Sequence, residues 1–576
     1  MDQKPDVPDA DRPPAEGSLS EQTRRVLADL HMLPGSRVLD RILDHPNPEA
    51  LVRSLPAEDF YWLIKKLGEE DCLPILEMGT RDQWQHLLDL EIWDKDLMDM
   101  QRSSAWLDRL NQAHPERLVK WLFSDGEAFA HHHLFRNLQV VVASSKDEVY
   151  DLSEGFFSFD GVLHVRVGDT EFRDSIENIL RVMARMDYER YQALILGLAG
   201  VIPAELEEEM YRLRNVRLAE HGFLPYEEAL SVYAPLDARS LQEEGQRSLP
   251  DLRYDDDLRA MVPVSPLFHA GTRNMLAQAL PGIDDPLFLD RLRLEFAGLC
   301  NQLLAAEGFP VRDLDVLIET CRKAAGYIGI GLERMCDNSI PSPVEVLKNR
   351  SLLSLFRVGF GLALKLKWEA ERWLKESWFG GRPLRPQFWG EAWGGILEGL
   401  VRKRPLLFVG LKEDREYREF ERLSEIDECR EVLRRVKALD DLLKGLASRY
   451  PLDPGMLRSP ELTYRPLLFN LWARSLLEME PSFRAIPLEK AKTLFQRLRG
   501  ESTSPPYRMA EFKAGFVQGL LSHLSDADSE SGMNLKETLS STWEDFQEEY
   551  AWVSPDQLDP RYSRFLWFVH RGGGTN

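Results

Sequence analysis

A chain of 576 residues is too long for one ordinary core, and at roughly 100–200 residues per domain it predicts about three or four parts. It carries 72 Lys+Arg against 95 Asp+Glu, a net charge of −23, with 43% hydrophobic and 29% charged residues. That composition excludes global disorder. The acidic balance argues against a nucleic-acid partner, because counterion release from a phosphate backbone needs a basic surface.

Residues 1–17 carry Pro5, Pro8, Pro13 and Pro14 among acids and predict a disordered leader. The start Met1–Asp6 has no basic and no apolar region, so no secretory signal is expected. The most apolar long window, Leu352–Leu366, is interrupted by Arg357 and closed by Lys365 and Lys367. A bilayer span needs about 20 apolar residues, so none is predicted. Cys72, Cys300, Cys321, Cys336 and Cys429 are odd in number and widely spaced. They read as reduced core thiols in a cytoplasm, with neither a zinc site nor a disulfide framework.

Residues 18–123 predict a helical-repeat domain. Ser18-x-x-Glu21 has capping-box spacing, and Val26, Leu27, Leu30 and Leu33 follow at helical intervals. A start signal, proline followed two residues later by glutamate, recurs at Pro56/Glu58, Pro203/Glu205, Pro225/Glu227, Pro343/Glu345 and Pro487/Glu489. Proline suits the first helical position, and an early glutamate faces the positive end of the helix dipole. These glutamates therefore read as helix-start acids, not active-site acids. Asp59, Asp71, Asp82 and Asp94 recur at near-regular spacing before apolar clusters, which predicts short stacked helices.

The steps Leu55–Asp59 and Leu67–Asp71 weakly resemble the cytosolic N-domain helical superhelix of MgtE-type magnesium channels, over residues 45–123. The channel portion of that family is absent, so ion transport does not carry over. The resemblance implies at most an ion or ligand sensor.

Residues 124–235 predict an α+β segment. Gln139–Ala143 is a β-branched run, and Asp160-Gly161 between Phe156 and Val167 predicts a hairpin on a two-residue turn. Helices are expected at 173–197 and 204–220. Residues 236–262 read as a linker or surface loop. Residues 263–570 predict a large C-terminal helical domain, with helices at 286–306, 311–337, 343–378, 417–448, 462–477, 488–498, 507–524 and 535–553. Residues 571–576 predict a disordered tail. The fold class expected is mainly α. The block Arg217–Leu230 ending at Tyr233, with the Phe156–Gly161 hairpin, is similar to a bacterial cytoplasmic family catalogued only as a domain of unknown function. That resemblance spans most of the length and implies no activity and no site.

Three constellations are candidates for chemistry. In a strand His131 and His133 would share a face and could hold a metal with His164 or His114; in a helix they diverge. Phe129, Leu134, Leu138 and Val141 favour a helix there. Trp378, Arg382, Arg385, Trp389, Glu391 and Trp393 could line a ligand pocket, although tryptophans five apart at 368, 373 and 378 also suit core packing. Asp284-Asp285 and Asp440-Asp441 lack the spacing of diphosphate-binding acidic motifs, and Asp285-Pro286 reads as a helix cap. The glycines Gly326, Gly329, Gly331, Gly359 and Gly361 sit inside helical patterns and predict close helix approach. No metal, cofactor or catalytic residue is assigned. The expected function is a cytoplasmic interaction, regulatory or scaffold protein that binds another protein through helical surfaces. The alternative is an enzyme with a pocket in the C-terminal helices.

Overall fold

The computed structural model describes residues 26–27, 29–30, 32–143, 154–243, 262–308, 313–336, 342–410, 415–500, 504–523 and 530–569. The leader, the Ser18–Glu21 spacing, most of the 236–262 segment and the tail lie outside these residues. The fold is mainly α, with small sheets of two or three strands. It divides into two compact units, residues 1–359 and 360–576. Among the described residues no helix is long and apolar enough to cross a membrane.

The first unit begins with short helices: α1 (Gly35–Leu43), α2 (Pro48–Arg53), α3 (Ala57–Leu67), α4 (Leu73–Met78) and α5 (Arg81–Glu91). None can bury its apolar face alone, so they stack. Phe60, Trp84 and Leu87 lie in the shared core. Trp84 donates its indole N–H to the Leu76 carbonyl at 3.0 Å. Thr80 and Gln83 form a capping box at the start of α5. The Gln83 amide also donates to the Val52 and Leu55 carbonyls, which satisfies the end of α2. The fourth step of the aspartate spacing differs from the first three. Asp94 lies on a hairpin, β1 (Trp93–Asp94) with β2 (Leu97–Met98), rather than at a helix start.

Then follow α6 (Met100–Ala113), α7 (Pro115–Leu122) and α8 (Glu127–Asn137). A three-stranded antiparallel sheet has the order β3 (Leu138–Val142), β5 (Leu163–Val167), β4 (Phe157–Ser158). Its hairpin is wider than the two-residue turn expected. Ser158 pairs with His164, and four residues, 159–162, lie between the two strands. The Asp160 carboxylate accounts for this, because Oδ1 accepts the N–H groups of Val162 and Leu163 at 2.8 Å and holds the loop open as an Asx turn.

The expected helix 173–197 is two helices, α9 (Arg173–Met186) and α10 (Tyr188–Gly197). Asp187 breaks it by capping the Arg190 N–H at 3.0 Å. Next come α11 (Pro203–Glu220), α12 (Ser265–Phe268), α13 (Pro286–Glu307), α14 (Leu314–Cys336), α15 (Pro343–Asn349) and α16 (Leu352–Glu376). The last two were expected as one helix. Arg350 is extended (φ −131°, ψ 147°) and separates them. Ser342 and Glu345 form the expected capping box, and Asp285 caps α13.

Helices α14 and α16 approach closely where glycines face backbone. A Cβ on Gly331 would lie 2.2 Å from the Leu355 carbonyl oxygen, and one on Gly359 would lie 2.0 Å from that of Tyr327.

The second unit carries α17 (Glu391–Val401), a hairpin of β6 (Leu407–Phe408) and β7 (Tyr417–Arg418), α18 (Leu423–Arg449), α19 (Tyr464–Leu476), α20 (Leu488–Arg499), α21 (Lys513–Leu521) and α22 (Glu530–Tyr550). Tyr417 and Arg418 were expected in a helix and instead form β7, so α18 starts at Leu423. The core of this unit is aromatic. Phe469 stacks on Phe516 and on Phe546 at 4.5 Å, and Trp543 packs beside them. Asn470 fastens the chain end: its side chain accepts the Trp567 N–H at 2.9 Å and donates to the Trp567 carbonyl at 3.0 Å.

Candidate functional site

Buried polar side chains concentrate in the first unit, and the densest group begins at α3. The Pro56 start signal does open a helix, yet Glu58 and Asp59 face inward. Asp59 is 1% exposed and accepts the N–H groups of Val264 (2.9 Å) and Ser265 (2.8 Å) and the Ser265 hydroxyl. It thereby caps α12 from another part of the chain. Beside it, Glu58 accepts the Asn301 amide at 3.2 Å, and Asn301 also donates to the His221 carbonyl at 2.7 Å. Burial pushes Glu58 up to about 8, Asp59 adds to the rise, and the Asn301 hydrogen bond opposes it. Burial raises Asp59 too, against the pull of its Ser265 and Val264 donors.

His86 packs against His221 with ring centroids 4.5 Å apart, and burial lowers His86 to about 3. A second buried acid, Glu91, accepts from Tyr61 (2.8 Å), Lys65 (2.9 Å) and Arg102. Burial alone would raise Glu91; Lys65, Tyr61 and Arg102 outweigh it and hold the carboxyl low. Each of these carboxylates is almost wholly buried and accepts from donors on another element, so it locks those elements together.

The histidine run lies on α8, as the apolar spacing favoured. His131 and His133 therefore diverge. His131 bonds to the Glu127 carbonyl at 3.0 Å, whereas His133 is buried with Nε2 3.0 Å from Ser104 Oγ. His164 lies on β5 opposite Val141 and Ser158. The three are not brought together, and among the described residues no group of three or more His, Cys, Asp or Glu could hold a metal ion. The Ser104–His133 contact has nucleophile-and-base chemistry, but the nearby Asp169 reaches Ser104 (3.3 Å) rather than the imidazole. Both side chains are buried, and the apolar cavity at His133 has room for no more than about one water.

In the second unit the tryptophan cluster divides. Trp378 and Trp389 are buried, packed with Phe379 and Phe388. Trp393 is half-buried and stacks on Tyr464 at 5.9 Å. Arg382 lies over the Trp378 ring at 4.2 Å and donates to its carbonyl. Arg385 and Glu391 are exposed. Asp440 is buried and accepts the Trp378 and Phe379 N–H groups at 2.9 and 2.8 Å, so this aspartate serves as a loop clamp.

The surface feature with the most chemistry is a shallow groove in the first unit between α5, the β1–β2 hairpin, the start of α8 and α11. Leu88, Ile92, Trp93, Met98, Trp121, Phe129, Met210 and Leu213 supply apolar walls, with Gln85, Asp89, Asp125 and Arg217 among them; its volume is about 50 Å³. Asp89 is buried and takes a bidentate pair of hydrogen bonds from Arg217, both 2.7 Å. Gln85 donates to it at 3.0 Å, and Arg214 donates to its carbonyl. Such a pair fixes the rim of α11 relative to α5. On α11, Met210, Leu213 and Val216 run at intervals of three from core to solvent: Met210 is 7% exposed, Leu213 42% and Val216 59%. Helical periodicity alone did not mark this groove, because its walls come from three separated stretches of chain. The signal available was a helix with apolar residues beyond one face.

A family model described as a family of unknown function (DUF6178) matches residues 16–569. No curated protein and no solved structure matches the chain. A match over nearly the whole length places the chain in the DUF6178 family of unknown function.

Proposed function

We propose that this chain is a cytoplasmic interaction protein, regulatory or scaffolding in role, that binds another protein through the helical surface of its first unit. The observation that carries the reading is the α11 stripe, which leaves the core at Met210, reaches solvent at Leu213 on the wall of the apolar groove, and continues to exposed Val216 further along the helix. Exposed apolar residues that adjoin a preformed groove with a polar rim suit a partner's apolar side chains. The occupant that fits is an amphipathic segment of another protein. Its apolar face would lie against Leu213 and Val216, and the rim charges of Asp125 and Arg217 would meet its polar edge. The buried acids support this reading because they rigidify the platform without offering a reaction site.

The test is a capture experiment from native cells with the full chain, set beside Leu213→Glu and Val216→Glu variants. A partner retained by the unaltered chain and lost from both variants is the expected result. Equal recovery by all three, or no partner above background, overturns the reading.

A further inference from the structure

Among the described residues the three-stranded sheet of the first unit ends at β3, which lies at one edge with β5 beside it. Leu138, Val140 and Val142 pair with Val167, Val165 and Leu163. Ala143 donates to the Val162 carbonyl at 2.8 Å, and Gly168 donates to the Asn137 carbonyl at 2.7 Å. These two bonds fix the phase of the ladder. Residues 137, 139, 141 and 143 turn their peptide groups toward β5. Peptide groups alternate along an antiparallel strand, so those of Leu138, Val140 and Val142 turn outward. The Leu138 N–H is taken by the Leu134 carbonyl at the end of α8. The N–H and C=O of Val140 and Val142 have no backbone partner among the described residues.

The side chains carry the same message. On β5, Leu163, Val165 and Val167 are buried. That apolar face continues onto β3 as Leu138, Val140 and Val142, none of which is buried, and Val142 is 52% exposed. Among the described residues the buried face of the sheet thus runs out uncovered at its last strand. β3 contains no charge, no proline and no bulge, the devices that normally protect an edge.

We propose that the β3 edge accepts an extended segment of another protein as a fourth strand. The segment is uncharged and carries aliphatic β-branched residues at alternate positions. Those residues would sit opposite Leu138, Val140 and Val142 and extend the apolar face, and a charge there would lose its solvation against valines. A second copy of the chain fits less well. Two five-residue strands cover far less than the roughly 1,200 Å² of a stable interface, and each copy carries a charge of −23. A short segment in a transient complex needs no larger contact. None of the groove residues takes part, so this site stands or falls apart from the groove.

The experiment uses the full chain and a fluorescein-labelled heptapeptide of alternating valine and threonine, read by anisotropy. In the proposed pairing the peptide's valine N–H groups face β3 and its threonine N–H groups face away. Saturable binding in the range of about 1–100 μM is expected. N-methylation of the valine amides should weaken it at least about tenfold, and N-methylation of the threonine amides should leave it within about twofold. Val140→Pro deletes an outward N–H while sparing the ladder to β5, and it should also cost about tenfold; Val140→Thr should not. Should Val140→Pro fail to fold, the two methylated peptides decide the matter on the unaltered chain. No binding up to about 1 mM, or equal loss from both methylated peptides, overturns the proposal. So does a dimer in sedimentation velocity that Val140→Pro abolishes, since that result gives the edge to a second copy.

Discussion

Asp59 accepts the backbone N–H of Ser265 at 2.8 Å across 206 positions of the chain. The same carboxylate takes the Val264 N–H and the Ser265 hydroxyl, so one side chain satisfies three buried donors. Removing an acceptor from buried donors costs their full desolvation penalty. Asp59→Ala is therefore expected to lose about 3 kcal/mol or more of stability, and Ser265→Ala, which keeps both backbone donors, about 1–2 kcal/mol. Denaturant midpoints would check this ordering. A double variant should lose less than the sum, because both changes break one network.

Glu58, next to Asp59, gives the first unit a pH dependence with a definite sign. Its folded pKa is about 8 against an ordinary 4.5, so above pH 4.5 unfolding releases a proton and stability falls as pH rises toward 8. Three histidines, two of them buried and His269 half-buried, act in the opposite sense. His86 is lowered to about 3, and His133 and His269 to about 4, all mainly by burial. Below pH 6.5 the unfolded state takes up protons that the folded state refuses, so stability falls as pH drops toward 3–4. The two trends place maximum stability between about pH 6 and 7. Glu58→Gln keeps an acceptor for Asn301 and removes the ionisation. Thermal unfolding across pH 5–9 should show the alkaline decline flattened in this variant, with little change at pH 5.

Glu58 also shows where sequence reasoning reached its limit. Proline followed by glutamate correctly marked helix starts at Pro56, Pro203, Pro225, Pro343 and Pro487. Caps and propensities are local, and local patterns can be read from a window. Which side of a one-turn start faces inward is not local. Glu58 and Asp59 are buried because Val264, Ser265 and Asn301 arrive from more than 200 positions away. Asp187 was equally hidden: apolar spacing runs through 173–197, and only the cap on Arg190 separates two helices. The groove and the β3 edge arise from neighbours distant in sequence, although the β-branched run that builds β3 was visible beforehand.

Gly331 and Gly359 mark the crossing of α14 and α16, where backbone meets backbone. An alanine Cβ at either place would sit 2.0–2.2 Å from a carbonyl oxygen that is part of a helix and cannot swing aside. Gly331→Ala and Gly359→Ala should each cost about 2 kcal/mol or more, against the gain of up to about 1 kcal/mol that helix propensity alone would give. Gly298 on α13, where an added Cβ would meet nothing within 4 Å, provides the comparison. Chemical denaturation of the three alanine variants checks the ranking. Equal effects at all three positions would count against the close crossing.

The six residues of the tryptophan cluster should separate by burial. Trp389 lies in the aromatic core with Phe379, Phe388 and Tyr464, and truncating a buried indole costs about 3–5 kcal/mol. Trp378→Ala should fall in the same range and release Arg382 from its ring. Trp393 stacks on Tyr464 while half-buried, so Trp393→Ala should cost about half as much. Arg385→Ala and Glu391→Ala, at exposed positions, should stay within about 0.5 kcal/mol. Differential scanning fluorimetry of the set orders them directly. If Arg385→Ala or Glu391→Ala destabilised the chain as much as Trp389→Ala, those side chains would be holding structure that their exposed positions do not account for. The division between a packed centre and a free rim would then be wrong.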